Sequence, residues 1–446
     1  MSRPAASPGG VEQRRQAMAR ATQRHAFGWL VFANTVGLGL GLLLLWPELN
    51  GAMSPFTYGR WMPVHLNGQL YGWCSVPLLG LLFAACLDWR HPHAHHHARV
   101  ALAAWSLAVA GGVVSWLAGE SSGKLFMDWS GWARPLLPVA MLVLWTLLAG
   151  HVWWRLRRPP PANRVSTSLL IGLALALVAL LPLPGIFFWA ADPGVYPPVN
   201  PGSGGATGAS LLGSTLGIIT LFGALPYLLS IPRRAPTTPS SSGRPAPSGS
   251  ELSFGGALIA SWIIYAVIDH GHASHTARDQ ILGLGSLFVW IPLAGWHLAA
   301  FAWPNVARRW LVSAYVCWGL LVASGWVTFL PGWSEALKFT HGLVAHAHLA
   351  MAGLVTAVHH ALLTCLDPAP ANQGRASSAP WAFLTWHLGL AVHLLSLFLL
   401  SMLEEANPAG LFLSDGPSQL LMAVRALSGA AMLVASFSWL KQAWSR

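Results

Sequence analysis

Charge is scarce in this sequence. Of its 446 residues only 9% are Asp, Glu, Lys or Arg, and the acids number 14. A water-soluble domain carries about 25% charged residues. The deficit runs along the whole chain, which excludes a soluble globular fold. Carboxylates are almost missing from the apolar stretches, so no acid-lined proton path from the inner side is legible. Protons, where chemistry consumes them, are expected from the outer side or along Ser, Thr, His and water. Cysteine is also rare. Cys74, Cys86, Cys317 and Cys365 lie in or beside apolar stretches with no CxxC spacing, so neither a zinc ribbon nor a disulfide framework is indicated. The basic N-terminus (Arg3, Arg14, Arg15, Arg20, Arg24) lacks a signal-peptide pattern ending in a small-residue cleavage site.

What the chain has is apolar length. It is 54% hydrophobic, with mean hydropathy +0.52. A bilayer core of roughly 30 Å needs about 20 apolar residues per helix. Twelve such stretches are read, near 27–47, 62–87, 98–118, 133–154, 166–190, 207–231, 253–268, 281–302, 310–330, 341–364, 380–403 and 417–440, with the seventh the shortest. The expected architecture is all-α and polytopic. It has a cytoplasmic tail over 1–26 and a single twelve-helix domain over 27–446, interrupted by a flexible Pro/Ser-rich linker at 232–251.

The net charge of +11 does not imply nucleic acid. With the N-terminus inside, the outer loops hold only Arg60, Lys124, Arg134, Arg278 and Lys338, and Arg425 falls within the twelfth stretch. The other basic residues lie on the cytoplasmic side, as the positive-inside rule requires. Both termini are then cytoplasmic, in a bacterial inner membrane. The inner loop HPHAHHHAR (91–99) has metal-binding composition, but a solvated loop is its default reading. The outer loop 403–418 is acidic (Glu404, Glu405, Asp415) and suits a basic electron donor.

Histidines at membrane depth are functional candidates. His65 in YGRWMPVHLNGQLYGW and His346 and His348 in VAHAHLAMAG are the strongest. All three fall in the first turns of inward-running helices. At 100° per residue, His346 and His348 point about 200° apart. They cannot share one metal, but one helix can serve two flat cofactors, one per flank. Iron with two histidines transfers electrons without binding gas, whereas iron with one keeps an open position. The plain alternative is three histidines hydrogen-bonded between helices. No CxxCH motif is present, so any haem is held non-covalently.

RWMPVHLNGQLYGW with VAHAHLAMAGL resembles subunit I of the haem-copper oxidases, and YGRWMPVH and LLMAVRALSGA most resemble the C-type oxidases and nitric oxide reductases. The resemblance implies a twelve-helix bundle with two haems, read as b-type. It implies that His65 and His348 hold a low-spin haem and His346 a high-spin haem, with Arg425 near the propionates. It also implies respiratory partner subunits and a cytochrome c or cupredoxin donor. The family's copper ligands do not match. Their positions fall on Ala206, Val267 and Ile268, and the cross-linked Tyr position on Ser210, so copper is expected to be absent. Oxygen reduction without copper and Tyr is then expected to be slow.

Nearby, Asp269, His270, His272 and His275 form a polar cluster that suits Zn, Cu or non-haem Fe if it is a rebuilt second metal site. A solvated loop is the favoured reading. His341 is expected at propionate level as a bystander. His297, His359, His360, His387 and His393 are expected to hydrogen-bond neighbouring helices. Three functions remain open at this point: a copper-free haem redox subunit, an active oxidase or nitric oxide reductase with a rebuilt second metal, and a haem-free transporter or assembly subunit.

Overall fold

A computed structural model of the chain describes residues 8–124, 126–157, 167–195, 207–234, 249–271, 273–274, 276–367, 380–408 and 415–445. Twelve helices among them are long and apolar enough to cross a membrane. They are α1 Gly9–Leu45, α2 Tyr58–Cys86, α3 Ala94–Ala118, α4 Gly131–Leu156, α5 Leu169–Ala190, α6 Gly208–Leu228, α7 Gly249–Val267, α8 Arg278–Ala299, α9 Asn305–Val327, α10 His341–Leu366, α11 Pro380–Ala406 and α12 Gly416–Trp444. The protein is an all-α, multi-pass membrane protein. Every expected stretch is a helix, and the shortest is the seventh. An unsatisfied backbone group is costly in hydrocarbon, so a run of apolar residues there closes its own hydrogen bonds as helix.

Helix ends differ from the sequence reading where polar residues continue a helix past its apolar run. The expected N-terminal tail is helical from Pro8, so Arg14, Arg15, Arg20 and Arg24 ride on the extension of α1. Glu404 and Glu405 are not loop residues but the last full turn of α11. Most of the linker at 232–251 lies outside the described residues. Its described flank pairs Arg233 with Phe301 in an isolated bridge.

The chain falls into two compact units. The first comprises residues 1–195, 362–386 and 429–446. Its core is aromatic: Phe27 stacks on Trp73 with centroids 5.7 Å apart, and Trp116 meets Trp129 edge-on at 5.1 Å. Small residues let its helices approach. A Cβ at Gly72 would stand 2.7 Å from the Trp29 ring. Arg24 donates from Nε to the Ala443 carbonyl at 2.9 Å, tying α1 to the end of α12. The second unit comprises residues 196–361 and 387–428. Here Trp290 and Trp318 are fully buried. Trp290 donates to Ser261 Oγ at 2.9 Å, and Trp318 to the Trp290 carbonyl at 3.2 Å.

Two of the twelve helices carry a π-helical segment. In α2 it spans Gly68–Cys74, and in α10 it spans Leu349–Val355. A wider turn leaves carbonyls poorly placed for their usual partners, and both helices answer in the same way. Ser75 Oγ donates to the Leu70 carbonyl at 2.9 Å, and Thr356 Oγ1 donates to the Met351 carbonyl at 3.0 Å. In each case the hydroxyl reaches back five residues.

Candidate functional site

The π segments lie just past two of the candidate histidines. His65 is the eighth residue of α2 and lies three residues before its π segment, and His348 is the eighth residue of α10 and immediately precedes its own. π turns inside α-helices gather at functional sites because the extra residue re-aims neighbouring side chains.

In the first unit, His65 Nδ1 lies 2.8 Å from the Ala33 carbonyl on α1. A carbonyl only accepts, so Nδ1 carries the proton and the ring's lone pair sits on Nε2. The ring lies against Gly37, where a Cβ would stand 2.6 Å from His65 Cε1 and 2.9 Å from Nδ1. Only glycine there leaves room for the imidazole to reach the carbonyl one turn earlier. Gln69, one turn past His65, donates to Asn34 Oδ1 at 2.8 Å and strengthens the same helix pair.

In the second unit, His348 Nδ1 lies 2.8 Å from the Val344 carbonyl of its own helix. The same argument puts its lone pair on Nε2. Its ring lies 4.8 Å from that of His393, and His393 Nδ1 meets Ser428 Oγ at 3.1 Å. His346 Nδ1 lies 2.9 Å from Ser324 Oγ on α9. That hydroxyl also reaches the Leu321 carbonyl at 3.3 Å. A Cβ at Gly325 would come within 3.2 Å of His346 Cε1. All three candidate rings are thus half-buried and held through Nδ1 by an oxygen, and the carbonyl partners of His65 and His348 set those two in the tautomer that ligates through Nε2. This is the arrangement in which metal-bound histidines are oriented. The donor set fits haem iron.

The other predicted residues fall out differently. His341 donates from its backbone N–H to Glu404 Oε2 at 2.8 Å, and its ring pairs with the same oxygen at 2.9 Å. α10 and α11 thus bring one histidine and one acid together. Arg425 is half-buried, and its carbonyl accepts from Ser428 Oγ at 2.8 Å.

His272 and His275 lie outside the described residues, as does Ala206. Asp269 and His270 are exposed. Asp269 Oδ1 accepts from Gly271 N at 2.8 Å, and His270 Nε2 lies 2.7 Å from the Tyr265 carbonyl. Val267 is exposed and Ile268 buried. Ser210 is exposed at the start of α6, where its N–H donates to Thr207 Oγ1.

Among the deeper histidines, His297, His387 and His393 hydrogen-bond neighbouring helices as expected, and the contact of His360 is an aromatic stack. His297 meets the Gly223 carbonyl at 3.3 Å, His387 pairs with Ser313, and His360 stacks on Trp310 at 4.0 Å and 9°. Sequence reasoning passed over the supporting residues Gly37, Ser324 and Gly325. A Gly or Ser in an apolar helix carries no signal until the facing imidazole is known.

No family model matches the chain, and no curated protein matches it. Among solved structures it is similar to a heme-copper terminal oxidase dimer determined by cryo-electron microscopy. The identity is 11%, the match covers 97% of this chain and 84% of that chain, and the TM-score is 0.46.

Proposed function

We propose that the protein is a haem-binding redox subunit of a bacterial inner membrane. In this reading His65 and His348 would together hold a low-spin haem, and His346 would hold a second haem. Held by two histidines, a haem would supply one-electron transfer; held by His346 alone, it would supply a site for O2 or NO. The observation that carries the reading is the shared state of the three imidazoles. Each meets an oxygen through Nδ1, the arrangement in which Nε2 would be the ligand atom.

The chain's own work is to orient and insulate. The Ala33 and Val344 carbonyls and the Ser324 hydroxyl hold the rings against rotation and raise the basicity of Nε2. Gly37 and Gly325 leave the space in which those rings lie. Arg425 offers the positive charge for a propionate. Both termini face the cytoplasm, and electrons arrive from a cytochrome c or cupredoxin outside or from a partner respiratory subunit.

The test is the dithionite-reduced spectrum of the purified protein, with and without carbon monoxide. A low-spin band lost in His65→Ala and in His348→Ala is expected, together with a CO-shifted component lost in His346→Ala. Absence of haem from the wild-type protein would sink the proposal.

A further inference from the structure

The inner-loop histidines find a partner that their own segment does not reveal. In the first unit, His97 on α3 faces His151 on α4, with His97 Nδ1 3.1 Å from His151 Nε2. The His91 ring lies 5.0 Å from that of His151 and 5.6 Å from that of His97. One ligand nitrogen from each of the three lies within 4.8 Å of the other two. His151 is 3% exposed, and its one hydrogen bond among the described residues is to the other imidazole.

The loop that carries His91 is held in place. The His91 N–H donates to the Asp88 carbonyl at 2.9 Å, and the Ala94 N–H donates to the His91 carbonyl at 3.1 Å. Arg90 forms a salt bridge with Asp88 at 3.0 Å. One turn beyond His151, Arg155 donates to the Ala85 carbonyl at 2.7 Å.

We propose that His91, His97 and His151 bind a divalent late first-row transition ion, with zinc as the reference cation. Two imidazole nitrogens on a tetrahedral zinc, each at roughly 2.0–2.1 Å, lie about 3.3 Å apart. The His97–His151 pair already stands near that separation. A side-chain rotation of His91 closes the third edge. Neutral imidazole suits this class of ion and not Mg2+ or Ca2+, which take oxygen ligands. Three protein ligands leave the fourth position to water or to His93, whose ring is 5.8 Å from His91 and 5.9 Å from His97. The bound ion would join the 87–93 loop to α3 and α4. The proposal stands on these residues alone and does not depend on the haem reading.

The experiment is equilibrium dialysis of the full-length, tag-free protein in detergent against buffered zinc, with the metal counted by mass spectrometry. One zinc per chain is expected. His151→Gln and His97→Gln should each weaken binding at least about tenfold, since even supporting residues cost that much at metal sites. A double change of His95→Gln and His96→Gln should leave it unaltered. His97 is half-exposed, so its variant carries the test even if the buried His151 variant fails to fold. The site is overturned if the wild-type protein retains no zinc. It is equally overturned if His97→Gln binds as tightly as wild type, or if binding is lost with His95 and His96, as for a promiscuous histidine tract.

Discussion

Gly37→Ala puts the orientation of His65 to a direct test. A methyl at Gly37 would stand 2.6 Å from His65 Cε1, 2.9 Å from Nδ1 and 3.4 Å from Nε2. A carbon pair rests at about 3.5–4.0 Å, so the ring must move by about 1 Å. That motion breaks the 2.8 Å contact with the Ala33 carbonyl. Overpacking of this kind costs about 1–3 kcal/mol, and the lost hydrogen bond about 1 kcal/mol more. Alanine returns about 0.5–1 kcal/mol through helix propensity, so the balance is a loss of about 1–3 kcal/mol. Gly39→Ala is the control, because a Cβ there meets nothing within 4 Å and only the propensity gain applies. Thermal unfolding in detergent should show Gly37→Ala less stable than wild type and Gly39→Ala equal or better. The low-spin band should weaken or shift in Gly37→Ala alone. If the two variants behave alike in both measurements, the account of how His65 is held is wrong.

Ser324→Ala removes the hydroxyl that holds His346 Nδ1. It should weaken CO binding about 10–100-fold while leaving the low-spin band intact, read by CO titration. Glu404→Ala leaves the His341 backbone N–H and ring without their shared acceptor. It should lower stability by about 1–3 kcal/mol, seen as a lower midpoint of thermal unfolding in detergent. Asp88 should give an acid limb to the stability profile. Burial pushes its carboxyl up, but hydrogen bonds from the Arg90 side chain and backbone and the charges of Arg90 and Arg155 outweigh this, so it sits below the usual carboxylate range. A depressed folded value means the stabilisation is complete above about pH 4 and is lost as pH falls through the folded value. Asp88→Asn should flatten that limb in unfolding measured from pH 6 downward.

The helix count was legible because hydropathy is a local sum. Any twenty consecutive apolar residues carry it, whatever they later pack against, and all twelve stretches became helices. The candidate histidines were legible for a related reason. An imidazole inside an apolar run is conspicuous without knowledge of its neighbours, and the one-residue spacing of His346 and His348 fixes their divergence on any helix. Local sums failed at the ends. Charged residues continued α1 back to Pro8 and α11 out to Ala406 because the backbone closes its hydrogen bonds irrespective of side-chain polarity.

What the fold alone decided is which group meets which. The Ala33 carbonyl, the Ser324 hydroxyl and the space at Gly37 come from residues with no chemical mark of their own, and each gains a role only by facing an imidazole. The π segments of α2 and α10 are each followed by a hydroxyl that reaches back five residues, and it reads as an ordinary Ser or Thr in the chain. The His-rich segment at 91–99 read as a solvated loop, because its buried partner His151 lies more than fifty positions away on another helix. Distance along a chain carries no information about distance in space once helices pack side by side. Composition therefore set the medium and the spans of this protein, and packing set the atoms that its histidines touch.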